Sequence, residues 1–164
     1  SIENYINQVK EISQVLIQQN SENKQIYEEN TEKYIKDLEK VEKQYEEISQ
    51  ELNGQKAICL NEALEYLAKD IKLEYISLHT DHDENSMSAE SIKNIINKMN
   101  TENIKIILIG KDDSIKNAEI LANETNAKIY KLDTVLTGAT DKSAYIDAAN
   151  RNLEVLKSVL GDEK

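Results

Sequence analysis

Several short apolar runs after residue 55 are each followed by residues whose types bear on ligand binding. These positions are Asn61, His79, Gly110 with Lys111, and Asp133. Imidazole and carboxylate groups are ligands for zinc and manganese, whereas the neutral amide oxygen of asparagine is a poor ligand for zinc. Metal chemistry at these positions depends on whether the fold brings the side chains to one place.

The apolar runs themselves predict the elements that would do this. They are short and rich in isoleucine, as buried strands are, and they cover residues 56–60, 73–78, 104–109 and 127–132. Helical patterns occur at 62–70, after Ser88, after Asp113 and over 145–159. This alternation predicts an α/β fold with a four-stranded parallel sheet covered by helices on both faces. Because ligands bind such sheets at the carboxyl edge, we expect the polar positions there.

Two helices are predicted before the first strand. An apolar stripe over residues 2–16 predicts the first helix, and Ser21 is expected to cap the start of the second. A longer stripe over 27–52 predicts a helix that stops at Gly54. The longer stripe fits a coiled-coil dimer as well as packing within the chain, and the intramolecular interpretation is preferred.

Composition argues against several classes of function. The chain has 20 Lys plus Arg against 31 Asp plus Glu, a formal net charge of −11, and a field of that sign repels nucleic acid and anionic lipid. No run approaches the roughly 20 apolar residues of a membrane-spanning helix. The sequence has neither a nucleophile motif nor a glycine-rich phosphate loop, so no enzymatic activity is predicted.

Each candidate residue also has a purely structural explanation. Asn61 lies where a strand turns into a helix, and a helix cap is its favoured role. The segment 79–84 holds both histidines with three carboxylates, and it is either a solvated loop or a set of metal ligands. The solvated loop is favoured for His82, while His79 stays a candidate ligand. Cys59, the single cysteine, is expected to act as a small hydrophobe within its strand.

Taken in order, these features resemble a known family. Residues 27–38, YEENTEKYIKDL, resemble the Tyr-x-x-Asn-x-x-x-Tyr-x-x-x-Leu signature of the linking helix in substrate-binding proteins of zinc and manganese ABC importers. Residues 59–70, CLNEALEYLAKD, resemble the strand-to-helix segment of that family, and residues 131–133, KLD, resemble its Leu-Asp element. Further similarity extends over 88–98, 104–110 and 145–160, so the resemblance covers nearly the whole chain.

The resemblance implies that the chain is part of a two-lobed receptor. Residues 1–53 would be linker helices, including the long backbone helix, and residues 54–164 the carboxyl-terminal α/β lobe. Because the sequence opens at Ser1 directly in helical periodicity, we expect an excised piece of a longer protein. The complete protein would hold zinc or manganese between its lobes and present the ion to an ABC permease. It would do so at the extracellular face of the membrane, on a lipid anchor.

The resemblance also implies a metal site that this chain only partly retains. The family's ligands after the first and last strands of the second lobe map to Asn61, in place of His or Glu, and to Asp133. The carboxylate that usually ends the intervening strand maps to Gly110, a second departure. The predicted metal residues are therefore Asp133 and Asn61, with His79 as a replacement ligand.

Several interpretations of these departures stay open. The loop at 79–84 supplies the missing ligands, or the receptor has lost metal capture and serves another ligand or cell adhesion. A third is a helical interaction module built on the 27–52 stripe. Under the receptor interpretation, the chain alone is expected to be monomeric and to bind metal weakly or not at all, because half of the coordination shell is missing.

Overall fold

The computed structural model describes residues 1–78 and 88–161. Within these ranges the chain forms six α-helices and four β-strands. The helices are α1 (Ile2–Gln19), α2 (Lys24–Leu52), α3 (Glu65–Asp70), α4 (Ala89–Thr101), α5 (Lys116–Thr125) and α6 (Ala144–Gly161). The strands are β1 (Lys56–Cys59), β2 (Glu74–Ser77), β3 (Ile106–Gly110) and β4 (Lys128–Leu132). Short 3-10 turns at Ser21–Asn23 and Glu62–Leu64 precede α2 and α3.

The strands form one parallel sheet in the order β2-β1-β3-β4, which confirms the predicted α/β fold. β1 lies in register with β3 through Cys59 and Leu108, and β3 with β4 through Gly110 and Leu132. The chain proceeds outward from β1 to β2 in one direction and from β3 to β4 in the other. The switch point of the topology therefore lies between β1 and β3, where ligands bind such sheets.

Helices cover both faces of the sheet, as the sequence predicted. Successive side chains of a strand point to opposite faces, so Cys59 packs with the core formed by α1, α2, α3 and α6, while Ile58 packs with α4 and α5. The same alternation places Leu108 in the first core and Ile107 in the second. Each of these side chains has 0% exposure, so the central strands are buried on both faces.

The long apolar stripe of α2 packs against other elements of the same chain. Leu38 and Leu52 are fully buried, and Tyr45 donates a hydrogen bond from its hydroxyl to the Ala149 carbonyl of α6 at 2.9 Å. This packing confirms the intramolecular interpretation of the stripe for the second half of α2. Burial raises the pKa of the Tyr45 hydroxyl well above its ordinary value, with Tyr145 and Asp70 adding to the effect.

The first helix differs from the prediction at its carboxyl-terminal end. Ile12 and Leu16, assigned to the apolar stripe, are 60% and 42% exposed. The reason is that this part of α1 meets α2 through a polar contact, in which the Thr31 hydroxyl donates to Ser13 at 2.8 Å. The buried residues of α1 are Ile2, Ile6 and Ser13.

The predicted cap at Ser21 is also wrong. Ser21 lies inside the 3-10 turn that leads into α2, so its backbone is already helical and lacks the extended conformation of an N-cap. α2 begins at Lys24 without a side-chain cap. The predicted stop is correct, because the helix ends at Leu52 and Gly54 follows with φ of +82°. No helix in the described ranges is long and apolar enough to cross a membrane.

Candidate metal-binding edge

Asn61 caps the turn that follows β1. Its backbone is extended, and its Oδ1 accepts a hydrogen bond from the Ala63 amide at 2.9 Å. This contact confirms the capping role. The other end of the side chain lies toward the neighbouring loop, where Nδ2 donates to Oδ2 of Asp113 at 2.8 Å. Both polar atoms of the Asn61 amide therefore have partners at the sheet edge.

Asp113 closes the gap between the ends of β1 and β3. Its Oδ2 accepts from the Gly110 amide at 2.8 Å as well as from Asn61. A Cβ on Gly110 would lie 2.6 Å from this oxygen, so the Asp113 carboxylate fills the space that a side chain at 110 would need. Sequence reasoning used Asp113 only to mark a helix start. An aspartate three residues after a strand-ending glycine is the signal that points to such a turn.

Asp133 is fixed by α6. The Asp133 amide donates to Asn152 Oδ1 at 2.7 Å, and Asn152 Nδ2 donates to the Asp133 carbonyl at 2.8 Å. Oδ1 of the carboxylate accepts from the Val135 amide at 3.0 Å. The side chain of Asp133 is only 5% exposed, so the carboxylate is held in one orientation at the end of β4.

Two cations meet the second oxygen of this carboxylate. Lys111 Nζ lies 2.8 Å from Oδ2 of Asp133, and Arg151 Nη2 lies 3.1 Å from the same atom. Burial acts to raise the pKa of Asp133, but the hydrogen bonds from Lys111 and the Val135 amide, with a further one from Arg151, outweigh burial. The pKa of Asp133 therefore lies below its ordinary value, and the group is a charged carboxylate at neutral pH.

The fold brings Asn61 and Asp133 to the same edge, though not into one cluster. They follow β1 and β4, which lie on either side of β3, so their backbones are about 10 Å apart at the usual strand spacing. Each side chain has a separate partner: Asn61 bonds to Asp113, and Asp133 to Lys111 and Arg151. Across the described residues, no group of three or more His, Cys, Asp and Glu is placed to hold a metal ion.

The remaining candidates are His79, His82 and Cys59. His79 and His82 lie outside the described residues, so their predicted roles remain predictions. Cys59 is fully buried, and burial together with the Glu65 carboxylate raises the pKa of its thiol to about 12. A thiol with so high a pKa is neutral and unreactive at physiological pH, as expected of a small hydrophobe.

This architecture, a parallel sheet covered by helices on both faces with a long helix leading into it, is the fold of a solute-binding protein. The chain belongs to the family described as ZnuA, zinc-uptake complex component A, periplasmic, which matches residues 1–159. The resemblance found in the sequence is thereby confirmed. The family is one of transport components, and its description places them in the periplasm.

Individual relatives agree with this assignment. The chain is 31% identical over 158 residues to the high-affinity zinc uptake system protein ZnuA of Bacillus subtilis (strain 168), covering 93% of the chain and 49% of the relative. The crystal structure of the metal-dependent lipoprotein YcdH from Bacillus subtilis superposes with a TM-score of 0.80 at 28% identity, over 96% of this chain and 61% of that one.

A more distant structure has the same fold. The solute-binding protein FpvC of Pseudomonas aeruginosa, solved with Ni²⁺, gives a TM-score of 0.82 at 21% identity over 100% of this chain and 62% of that one. At that identity the likeness is evidence of the fold alone. The chain spans about half the length of the curated relative it matches.

Proposed function

We propose that this chain forms the linker helices, residues 1–53, and the carboxyl-terminal lobe, residues 54–164, of an extracytoplasmic receptor for a divalent metal ion. The ion is zinc or manganese, and it is the cargo of an ABC importer. Family membership and the shared fold support the transport role. The length of the matched relatives supports a second lobe, since the chain covers 49% of one and 61% of another.

The observation that carries this proposal is the fixed carboxylate of Asp133 at the carboxyl edge of the sheet. Hydrogen bonds with Asn152 fix the backbone of Asp133, and the Val135 amide fixes Oδ1, so the carboxylate would lose little conformational freedom when an ion binds. A preorganised carboxylate favours divalent cations. Asn61 would contribute a neutral oxygen from the turn after β1, and His79, which follows β2 in the sequence, an imidazole.

The same contacts explain why this lobe alone should bind weakly. Asp133 is already paired with Lys111 and Arg151, and Asn61 with Asp113, so an ion must break existing contacts. The donors of an amino-terminal lobe would have to supply the rest of the coordination shell. The chain by itself is therefore expected to bind zinc with a dissociation constant weaker than about 1 µM.

The partners follow from the same role. The complete protein would deliver its ion to a membrane permease and would be held at the outer face of the cell membrane by a lipid anchor. The family description and the name of the Bacillus subtilis relative are those of uptake components, which supports a transport role rather than an enzymatic one.

The test is isothermal titration of the complete protein with zinc and manganese, with Asp133→Ala beside the unmodified protein. The variant should lose at least about tenfold in affinity, because a ligand should matter no less than its supporting residues do. Asp112→Ala is the matched control, since it removes an exposed carboxylate from the loop after β3. Equal affinities for the Asp133 variant and the unmodified protein would remove Asp133 from any metal site.

A further inference from the structure

The two oxygens of the Asp133 carboxylate have different kinds of partner. Oδ1 is held by the main-chain amide of Val135 at 3.0 Å, and this contact belongs to the local turn. Oδ2 is held by the long side chains of Lys111 and Arg151. The side chains of Lys111 and Arg151 are 41% and 60% exposed, against 5% for Asp133. The Lys111 ammonium and the Arg151 guanidinium therefore lie between Oδ2 and the solvent.

A divalent ion and the Lys111 ammonium cannot share this oxygen. Zinc binds a carboxylate oxygen at about 2.0–2.2 Å, which would place the ion within a few ångströms of an ammonium that now lies 2.8 Å from Oδ2. Like charges that close repel each other, and the buried position of the Asp133 carboxylate reduces the screening by water. Binding at Asp133 therefore requires the ammonium to leave.

We propose that Lys111 sets the metal affinity of this site as a built-in competitor. The Lys111 ammonium lies 2.8 Å from Oδ2 of Asp133, and a divalent ion would bind by exchanging with it. This proposal rests on the proposed function, since it assumes that Asp133 faces the cargo ion. Its consequence is that the loss of the Lys111 charge should tighten metal binding, whereas the loss of an ordinary supporting residue would weaken it.

The geometry favours Lys111 over Arg151 as the main competitor. The Lys111 amide donates to the Leu132 carbonyl at 2.8 Å, which fixes the backbone of Lys111 beside the residue that precedes Asp133. Its ammonium makes the shorter contact with Oδ2, at 2.8 Å against 3.1 Å for Arg151. Arg151 is also the more exposed side chain, so it should move away at lower cost.

The experiment is a zinc titration of this chain followed by nuclear magnetic resonance, with the Val135 amide signal as the local reporter. Lys111→Met and Lys111→Gln should each tighten zinc binding by about tenfold or more, because a positive charge next to the ion is removed. Lys111→Arg keeps the charge and should leave the affinity close to that of the unmodified chain. Urea unfolding of each variant checks that the fold is intact.

The matched control is Lys131→Met. It removes the same charge from an exposed lysine of β4, two residues before Asp133, and should change zinc affinity little. Lys111→Met combined with Asp133→Asn should lose the gain in affinity, since the exchanged ligand is then absent.

The possible failures can be told apart. If the unmodified chain binds zinc in a manner that depends on Asp133, but Lys111→Met gains no more than Lys131→Met, the competitor role is wrong and the proposed function stands. If none of the variants shows saturable binding that depends on Asp133, the competitor role is wrong, because removal of the Lys111 ammonium should make Oδ2 of Asp133 available to zinc. The proposed function is decided separately, by the titration of the complete protein.

Discussion

Asp133 is a buried carboxylate whose charge is stabilised by hydrogen bonds from Lys111, Val135 and Arg151. Its pKa lies below the ordinary value of about 3.9, so its charged form stabilises the fold above that pH, and the stabilisation is lost as the pH falls through the lowered pKa. Asp133→Asn should therefore cost about 2 kcal/mol at pH 7. The difference from the unmodified protein should shrink below about pH 4.

Urea unfolding of both proteins at pH 7, 5 and 3 measures this dependence. Asp112→Asn serves as the control, because it changes the same charge at an exposed position. A stability difference between Asp133→Asn and the unmodified protein that stays constant from pH 7 to pH 3 would show that the charge of Asp133 has no part in it.

Gly110 is a second residue on which the hydrogen bonds at the carboxyl edge of the sheet depend. In Gly110→Ala the new Cβ would lie 2.6 Å from Oδ2 of Asp113, so the carboxylate must leave both the Gly110 amide and Asn61. The loss of these contacts should lower the free energy of unfolding by about 1–3 kcal/mol. Chemical denaturation measures the change.

The chain provides a matched glycine for this measurement. A Cβ added at Gly138 would have no atom within 4 Å, so Gly138→Ala should leave the stability nearly unchanged. Equal effects of the two substitutions would mean that Asp113 moves aside without cost.

Sequence reasoning found the local contacts of these residues but missed the distant ones. The cap at Asn61 follows from its place between a strand and a helical turn, and it was predicted correctly. Lys111 was placed on the edge, but its pairing with Asp133 depends on how the loops after β3 and β4 meet. Arg151 lies 18 residues beyond Asp133, on a helix whose packing no local pattern specifies.

Among the elements, α2 carries both buried and exposed apolar residues. Leu38, on the 27–52 stripe, is fully buried against the core, whereas Ile26, which precedes the stripe in the first turn of the helix, is 56% exposed. Leu38→Ala should therefore cost about 3 kcal/mol, while Ile26→Ala should change the stability by less than about 0.5 kcal/mol. Thermal or urea unfolding of the two variants tests the contrast, and similar losses would mean that the start of α2 packs as tightly as its second half.

The sheet could be predicted from the sequence, whereas the difference in burial along α2 could not. Runs rich in isoleucine identify buried strands on their own, and the predicted strands lie within two residues of β1 to β4. A stripe of apolar residues shows which face of a helix could pack, but not how far along the helix a partner extends. For α1 and α2 the apolar packing stops near the Ser13–Thr31 contact, and the sequence has no signal for that end point.

For the chain as a unit, the intramolecular use of the α2 stripe predicts a monomer. The buried half of the stripe packs against α6, and the net charge of −11 makes separate copies repel each other. Sedimentation at tens of micromolar should give the mass of one chain. A stable dimer would instead point to the exposed apolar residues of the α1–α2 pair, which are Ile12, Val15, Leu16 and Ile26.

The most direct test of the proposed cation site is the location of Mn²⁺ on this chain, by paramagnetic broadening of amide signals at substoichiometric metal. The proposal predicts that broadening is strongest at the carboxyl edge, at the amides of Ala63, Lys111 and Val135, and that it disappears there in Asp133→Ala. Broadening centred on the acidic surface of α2, or a pattern unchanged by Asp133→Ala, would contradict a metal site at this edge.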